Sequence, residues 1–181
     1  RADAWRGGAV LALVTALGLL VRLYRLPEQS VWHDEFLALC HFNAPDAGRN
    51  IALISLYIPE NMKAPLHYVL QYWFANHVTD SLLALRLVSV FLGVLCIPVL
   101  FLLARRMFGV RPALVAALLL ALSPQHVWYA QEVRTYALSN LMALLSFYCV
   151  FRGAQGGGRG WWAASLLINA VLPWTHLMFF P

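Results

Sequence analysis

The chain has 181 residues, of which 61% are hydrophobic and only 12% charged. A soluble domain of this size carries about 45–50% apolar and about 25% charged residues, so the composition excludes an ordinary soluble fold and indicates an all-α polytopic membrane protein. The net charge of +5 has to be placed relative to a bilayer before it is read as a taste for polyanions, and no nucleic-acid partner is expected.

In chain order, the first apolar run covers residues 9–24. It follows Arg6 and runs into Arg22 and Arg25 without an Ala-x-Ala-like cleavage site, so a retained helix is expected rather than a signal peptide. Next comes Ser30-Val31-Trp32-His33-Asp34-Glu35-Phe36, with two adjacent acids just past the end of a span. Residues 25–81 read as one loop outside the membrane. It holds two amphipathic stretches, about 34–57 and 64–77, which are too polar to cross and suit helices lying in the interface, with Tyr68, Tyr72 and Trp73 at headgroup depth. Further spans are expected over 82–103, 112–122, 136–151 and 161–180, each judged against the roughly 20 apolar residues that cross a hydrocarbon core. The third is short unless it continues into the Pro124 region. Cys40, Cys96 and Cys149 show no metal-binding spacing, and the last two read as apolar packing residues. The chain opens on Arg1 and ends on Pro181 behind an apolar run, and residues 1–181 read as the N-terminal part of one larger membrane domain.

The short loops suggest an orientation. With a cytoplasmic N-terminus, that side gathers Arg1, Arg6, Arg105, Arg106, Arg111, Arg152 and Arg159, with Asp3 opposing them, whereas basic and acidic residues nearly balance on the other side. The glycine-rich loop over 153–158 lacks the strand and Lys-Ser/Thr of a phosphate loop and reads as a linker. On this orientation Asp34-Glu35, the loop over 25–81 and a second polar island, Ser123 to Tyr136, share the extracytoplasmic face. A lipid-linked donor reaches that face and a soluble nucleotide-sugar does not.

Several side chains there have both a chemical and a structural reading. Asp34 and Glu35 could supply a general base, since partial desolvation raises a carboxylate pKa, or could simply complement a helix N-terminus. Only one of two helical neighbours can face a substrate. Lys63, the single lysine, precedes Pro65 at a helix start and suits either an anion or a snorkelling role. The run Gln131-Glu132-Val133-Arg134-Thr135-Tyr136 is expected to be helical, with Gln131 and Arg134 on one face and Glu132 and Tyr136 on another. Arg134 then offers a planar fork to a phosphate, or an interfacial anchor. Arg86 reads as a plain anchor. His67 and His176 are either packed rings or substrate contacts, and with Glu60 they are the candidate ligands of a possible divalent cation.

Taken in order, these residues resemble the integral-membrane glycosyltransferases of the GT-C class, in the branch of the protein O-mannosyltransferases and lipid A aminoarabinose transferases. The resemblance rests on Asp34-Glu35, on Lys63-Ala64-Pro65-Leu66-His67-Tyr68 beside that branch's His/Lys-Pro-Pro-Leu-Tyr/His-Tyr element, and on Leu85-Arg86-Leu87-Val88-Ser89. It continues through Pro98 to Gly109, Ser123 to Tyr136, and Thr175-His176. It implies inverting transfer from a polyprenyl-phosphate sugar to an acceptor on a glycan, lipid or protein, within a bundle of which about five helices lie in this chain. Catalysis would fall to Asp34 and Glu35, the donor phosphate to Lys63 and Arg134, and substrate contacts to His67, Tyr129, Gln131, Glu132, Tyr136 and His176. A polyprenyl-lipid transporter and a noncatalytic envelope-assembly subunit are the alternatives. The expected setting is a bacterial inner or plasma membrane.

Overall fold

The computed structural model describes residues 2–33, 35–36, 65–78 and 81–176. Among these the chain is helical without strands. The order is α1 (Ala2–Leu23), a 3-10 turn (Leu26–Glu28), α2 (Pro65–His77), α3 (Leu82–Phe108), α4 (Val110–Leu122), α5 (Pro124–Ala130), α6 (Tyr136–Ala154), α7 (Arg159–Val171) and a second 3-10 turn (Leu172–Trp174).

Each break has a local chemical cause. After α1, Arg25 adopts left-handed backbone angles (φ 54°, ψ 21°) and Pro27 opens the 3-10 turn. Between α3 and α4, Gly109 sits at φ 87°, a conformation that costs glycine little, while its N–H closes α3 on Arg105 O at 3.0 Å. Between α4 and α5, Pro124 has no N–H to offer Leu120 O, and the two helix axes bend by 58°. Ser123 caps the new helix, its Oγ accepting from His126 N at 3.4 Å.

Among the described residues three segments are long and apolar enough to cross a bilayer: Gly7–Glu28, Leu82–Phe108 and Tyr136–Ala154. The bent pair α4–α5 supplies a fourth if it counts as one span. The helix of the short third span is thus followed past Pro124 by a second helix, set around a corner. Of the fifth, expected over 161–180, the described part is the α-helix to Val171 followed by the 3-10 turn at Pro173, and residues 177–180 lie outside the described residues. The amphipathic stretch at 64–77 is the helix α2, whereas the stretch at 34–57 lies outside the described residues apart from Glu35 and Phe36.

Small side chains let the spans approach closely. Ala113, Ala117 and Ala121 recur every fourth residue along α4, are fully buried, and pack on Val14 of α1 and on Ile97, Phe101 and Ala104 of α3. Gly93 does the same for α5, since a Cβ there would stand 2.6 Å from that of Ala130. Outward-facing Leu13 (71% exposed), Leu119 (68%) and Leu166 (72%) would be poorly placed in water and are well solvated by hydrocarbon. Cys96 and Cys149 are buried free thiols. This is an integral membrane protein.

The packing brings the C-terminal ends of α1 and α4, the N-terminal ends of α3 and α6, and α5 to one end of the bundle. The opposite end carries the α3–α4 and α6–α7 connections.

Candidate active site

The site end is organised by two buried arginines. Arg86, near the start of α3, is 1% exposed rather than the surface anchor its position suggested. Its Nε and Nη2 donate to the two carboxylate oxygens of Glu35 at 2.9 and 2.7 Å, and Nη1 donates to the carbonyls of Leu26 and Gln29, both at 3.0 Å. Glu35 is itself fully buried and accepts a third hydrogen bond from Val133 N at 3.1 Å. A helical turn carries Glu35 inward, with Phe36 N bonded to Trp32 O at 2.9 Å. A bidentate pair with its remaining donors satisfied is the form in which charge survives burial, because the desolvation cost is offset only by good geometry. The two polar islands of the sequence therefore meet through Glu35 and Val133.

The run 131–136 within the second island is not the expected helix. Residues 131–135 break the chain between α5 and α6, with a tight bond from Arg134 N to Glu132 O at 2.9 Å. The break turns successive side chains in different directions, so Gln131 and Arg134 do not share a helical face. Gln131 Nε2 donates to the carbonyls of Arg22 and Tyr24 at 2.9 and 3.2 Å, which α1 leaves open as it ends. Val133 is fully buried with Tyr68 and Leu85. Arg134 donates to Tyr68 Oη at 3.3 Å and lies 5.7 Å over the Tyr136 ring. Tyr68 is thus 2% exposed, enclosed within the site, while Trp73 is exposed.

Two titratable groups beside this network are pushed off their ordinary values. Glu132, 1% exposed, is raised to about 7, first by burial and then by the charge of Glu35; nearby Arg134 and the indoles of Trp128 and Trp32 oppose the rise, though neither indole closes a hydrogen bond of normal geometry. His67, also buried, is pushed down to about 3 by burial and by the positive charge of Arg134, against a hydrogen bond with the Val133 backbone. It is a neutral imidazole at pH 7, and its Nε2 has no partner among the described residues.

Arg22, in the last turn of α1, is the other buried arginine. It is 0% exposed. Nη1 donates to Gly18 O at 2.8 Å and Ala121 O at 3.1 Å; Nη2 donates to Leu120 O at 3.3 Å and to His126 Nδ1 at 2.8 Å. Leu120 is the residue whose carbonyl Pro124 cannot serve. The guanidinium of α1 therefore closes the end of α4 and holds the α4–α5 corner. The signal was present in the sequence as an arginine one helical turn after Gly18, but nothing local tells which helix end it serves.

A cleft of about 330 Å³ lies at that corner, lined by Leu120, Ser123, Gln125, His126, Tyr129, Tyr136 and Asn140. Tyr129 and Tyr136 pack with ring centroids 4.3 Å apart, and His176 lies 5.7 Å beyond Tyr136. The described candidates Glu35, His67, Tyr129, Gln131, Glu132, Arg134, Tyr136 and His176 thus gather at one end of the bundle. Asp34, Lys63 and Glu60 lie outside the described residues. Among the described residues no three His, Cys, Asp or Glu side chains are placed to hold a metal.

The fold and this end of it define a class: a helical protein embedded in the membrane that keeps a dense ionic and aromatic site at one end of its bundle. Residues 62–172 match the model of the family described as dolichyl-phosphate-mannose-protein mannosyltransferase, and the chain belongs to that family. It is a membrane glycosyltransferase of the mannosyltransferase kind, from a family that uses lipid-linked sugar donors. No curated protein and no solved structure matches it.

Proposed function

We propose that this chain transfers a sugar from a polyprenyl-phosphate carrier to an acceptor hydroxyl, with inversion, at the extracytoplasmic face. The observation that carries the reading is the junction at Glu35: one buried carboxylate ties Arg86 and Val133 together, and so fastens the loop bearing Asp34 against the segment bearing Arg134.

In the proposed reaction the acceptor hydroxyl attacks the anomeric carbon from the side opposite the phosphate. Its proton passes to Asp34, the anomeric C–O bond to the phosphate breaks, and the electron pair leaves with the polyprenyl phosphate. Lys63 and Arg134 neutralise that phosphate as its charge grows, an electrostatic contribution of about 3 kcal/mol for one well-placed donor. Glu35 is a positioning residue, because both its oxygens are already engaged. The isoprenoid tail lies along the apolar outer faces of the spans. The arginine-rich opposite end faces the cytoplasm, in keeping with the bias of basic residues toward that side.

The test is transfer from a defined polyprenyl-phosphate hexose by the full-length protein. Asp34→Asn is expected to lower kcat by a factor of about 10² to 10⁴, as for loss of a positioned general base, with expression and donor affinity retained. Near-normal turnover in that variant would refute the assignment of the base.

A further inference from the structure

The cleft at the α4–α5 corner is unusual in its chemistry. Ser123, Gln125, His126, Tyr129, Tyr136 and Asn140 all line it and all carry hydrogen-bonding groups, yet none is an acid, a lysine or an arginine. Gln125 and Asn140 are exposed, and neither amide makes a hydrogen bond among the described residues. Asn140 lies one turn inside α6, a span long and apolar enough to cross the membrane. Its exposed amide, one turn from the helix end, is open to a polar ligand.

His126 adds a directional donor. Arg22 can only donate, so Nδ1 of His126 accepts the 2.8 Å bond and the ring proton resides on Nε2. That N–H is buried beside the cleft without a partner among the described residues, in a residue nine-tenths or more buried. The packed Tyr129–Tyr136 pair supplies an aromatic face.

We infer that this cleft binds a neutral hexosyl ring. The inference rests on the glycosyltransferase reading and gives it a sugar subsite. A phosphate is disfavoured because no lysine or arginine lines the cleft, and an isoprenoid tail because every lining residue except Leu120 carries a hydrogen-bonding group. At about 330 Å³ the space is at the small end of ligand pockets, which span roughly 300–1,000 Å³, and suits one ring rather than a chain. Arg134, 5.7 Å over the outer tyrosine, puts a cation at the rim. A carrier phosphate held there would deliver its sugar onto Tyr136.

The experiment measures binding to the full-length protein in nanodiscs by quenching of tryptophan fluorescence. The probes are a short-chain polyprenyl-phosphate hexose, the same polyprenyl phosphate without sugar, and an alkyl hexoside as an acceptor-like ring. The native protein is expected to bind the sugar-bearing lipid about tenfold tighter than the bare phosphate, and Asn140→Ala and Gln125→Ala to remove about threefold to fivefold of that advantage each, leaving the bare phosphate unchanged. A loss seen for the alkyl hexoside instead, with the lipid-linked ring unaffected, assigns the subsite to an acceptor ring. An undiminished preference for both sugar probes in the double variant overturns the inference. Sugar-dependent binding that both variants weaken, in a protein forming no glycosidic product, would keep the subsite and discard the transfer mechanism.

Discussion

The two ends of the bundle use the same residue in opposite ways. At the site end Arg22 and Arg86 are buried, and most of their N–H groups have a named acceptor. At the other end Arg105, Arg106, Arg111 and Arg159 are exposed; Arg106 reaches Gln155 at 3.4 Å and lies 5.9 Å over Tyr148, and half-buried Arg152 stacks 4.8 Å over Trp161. The difference is solvation. A guanidinium removed from water must find acceptors in one geometry, so it dictates where helix ends and loops go. One left at the surface keeps its hydration and tolerates many arrangements.

The largest expected effect follows from breaking the buried pair. Arg86→Ala or Glu35→Ala strands a charge and is expected to destabilise the protein by about 3–5 kcal/mol, measured by thermal unfolding in detergent; replacing both residues with apolar side chains of similar volume should recover much of the loss. A smaller loss, about 2–3 kcal/mol, is expected for Arg22→Met, which leaves the Ala121 carbonyl and His126 Nδ1 without their donor. If the two single variants differ little from the native protein, the contrast between the ends dissolves.

The Glu132 carboxyl sharpens the comparison through pH. Its ordinary value is 4.5 and its folded value about 7. Between these the folded state holds a proton that the unfolded chain has released, so stability falls as pH rises through that window and levels off above about 7. Glu132→Gln should remove this slope, gaining on the native protein at pH 8 relative to pH 5 in matched unfolding curves. At the opposite end Arg106→Gln should change stability by no more than about 0.5 kcal/mol, since it removes only an exposed stack and one long hydrogen bond.

Much of this was legible in the residues. Apolar runs, their lengths and the prolines and glycines between them mark out the helices, because hydrocarbon requires each span to satisfy its own backbone. The grouping of Glu35 with the segment 131–136 on one side also follows from counting spans. The local geometry did not. Residues 131–136 carry a helical pattern, yet the chain breaks there because Glu35 and the open end of α1 offer better partners to Val133 N and Gln131 than a continued helix would. Tyr68 reads as an interfacial aromatic until Leu85 and Val133 are seen to enclose it.

The sequence by itself determined a helical membrane protein, the approximate places of its main spans and the polar residues available for chemistry, since these depend on composition and on neighbours a few positions away. Only the tertiary structure decided that Arg86 serves Glu35 across 51 residues of chain, and that Arg22 serves the end of α4 across 98 and 99. A buried charge takes its meaning from the acceptors that surround it, and those come together only when distant helix ends pack.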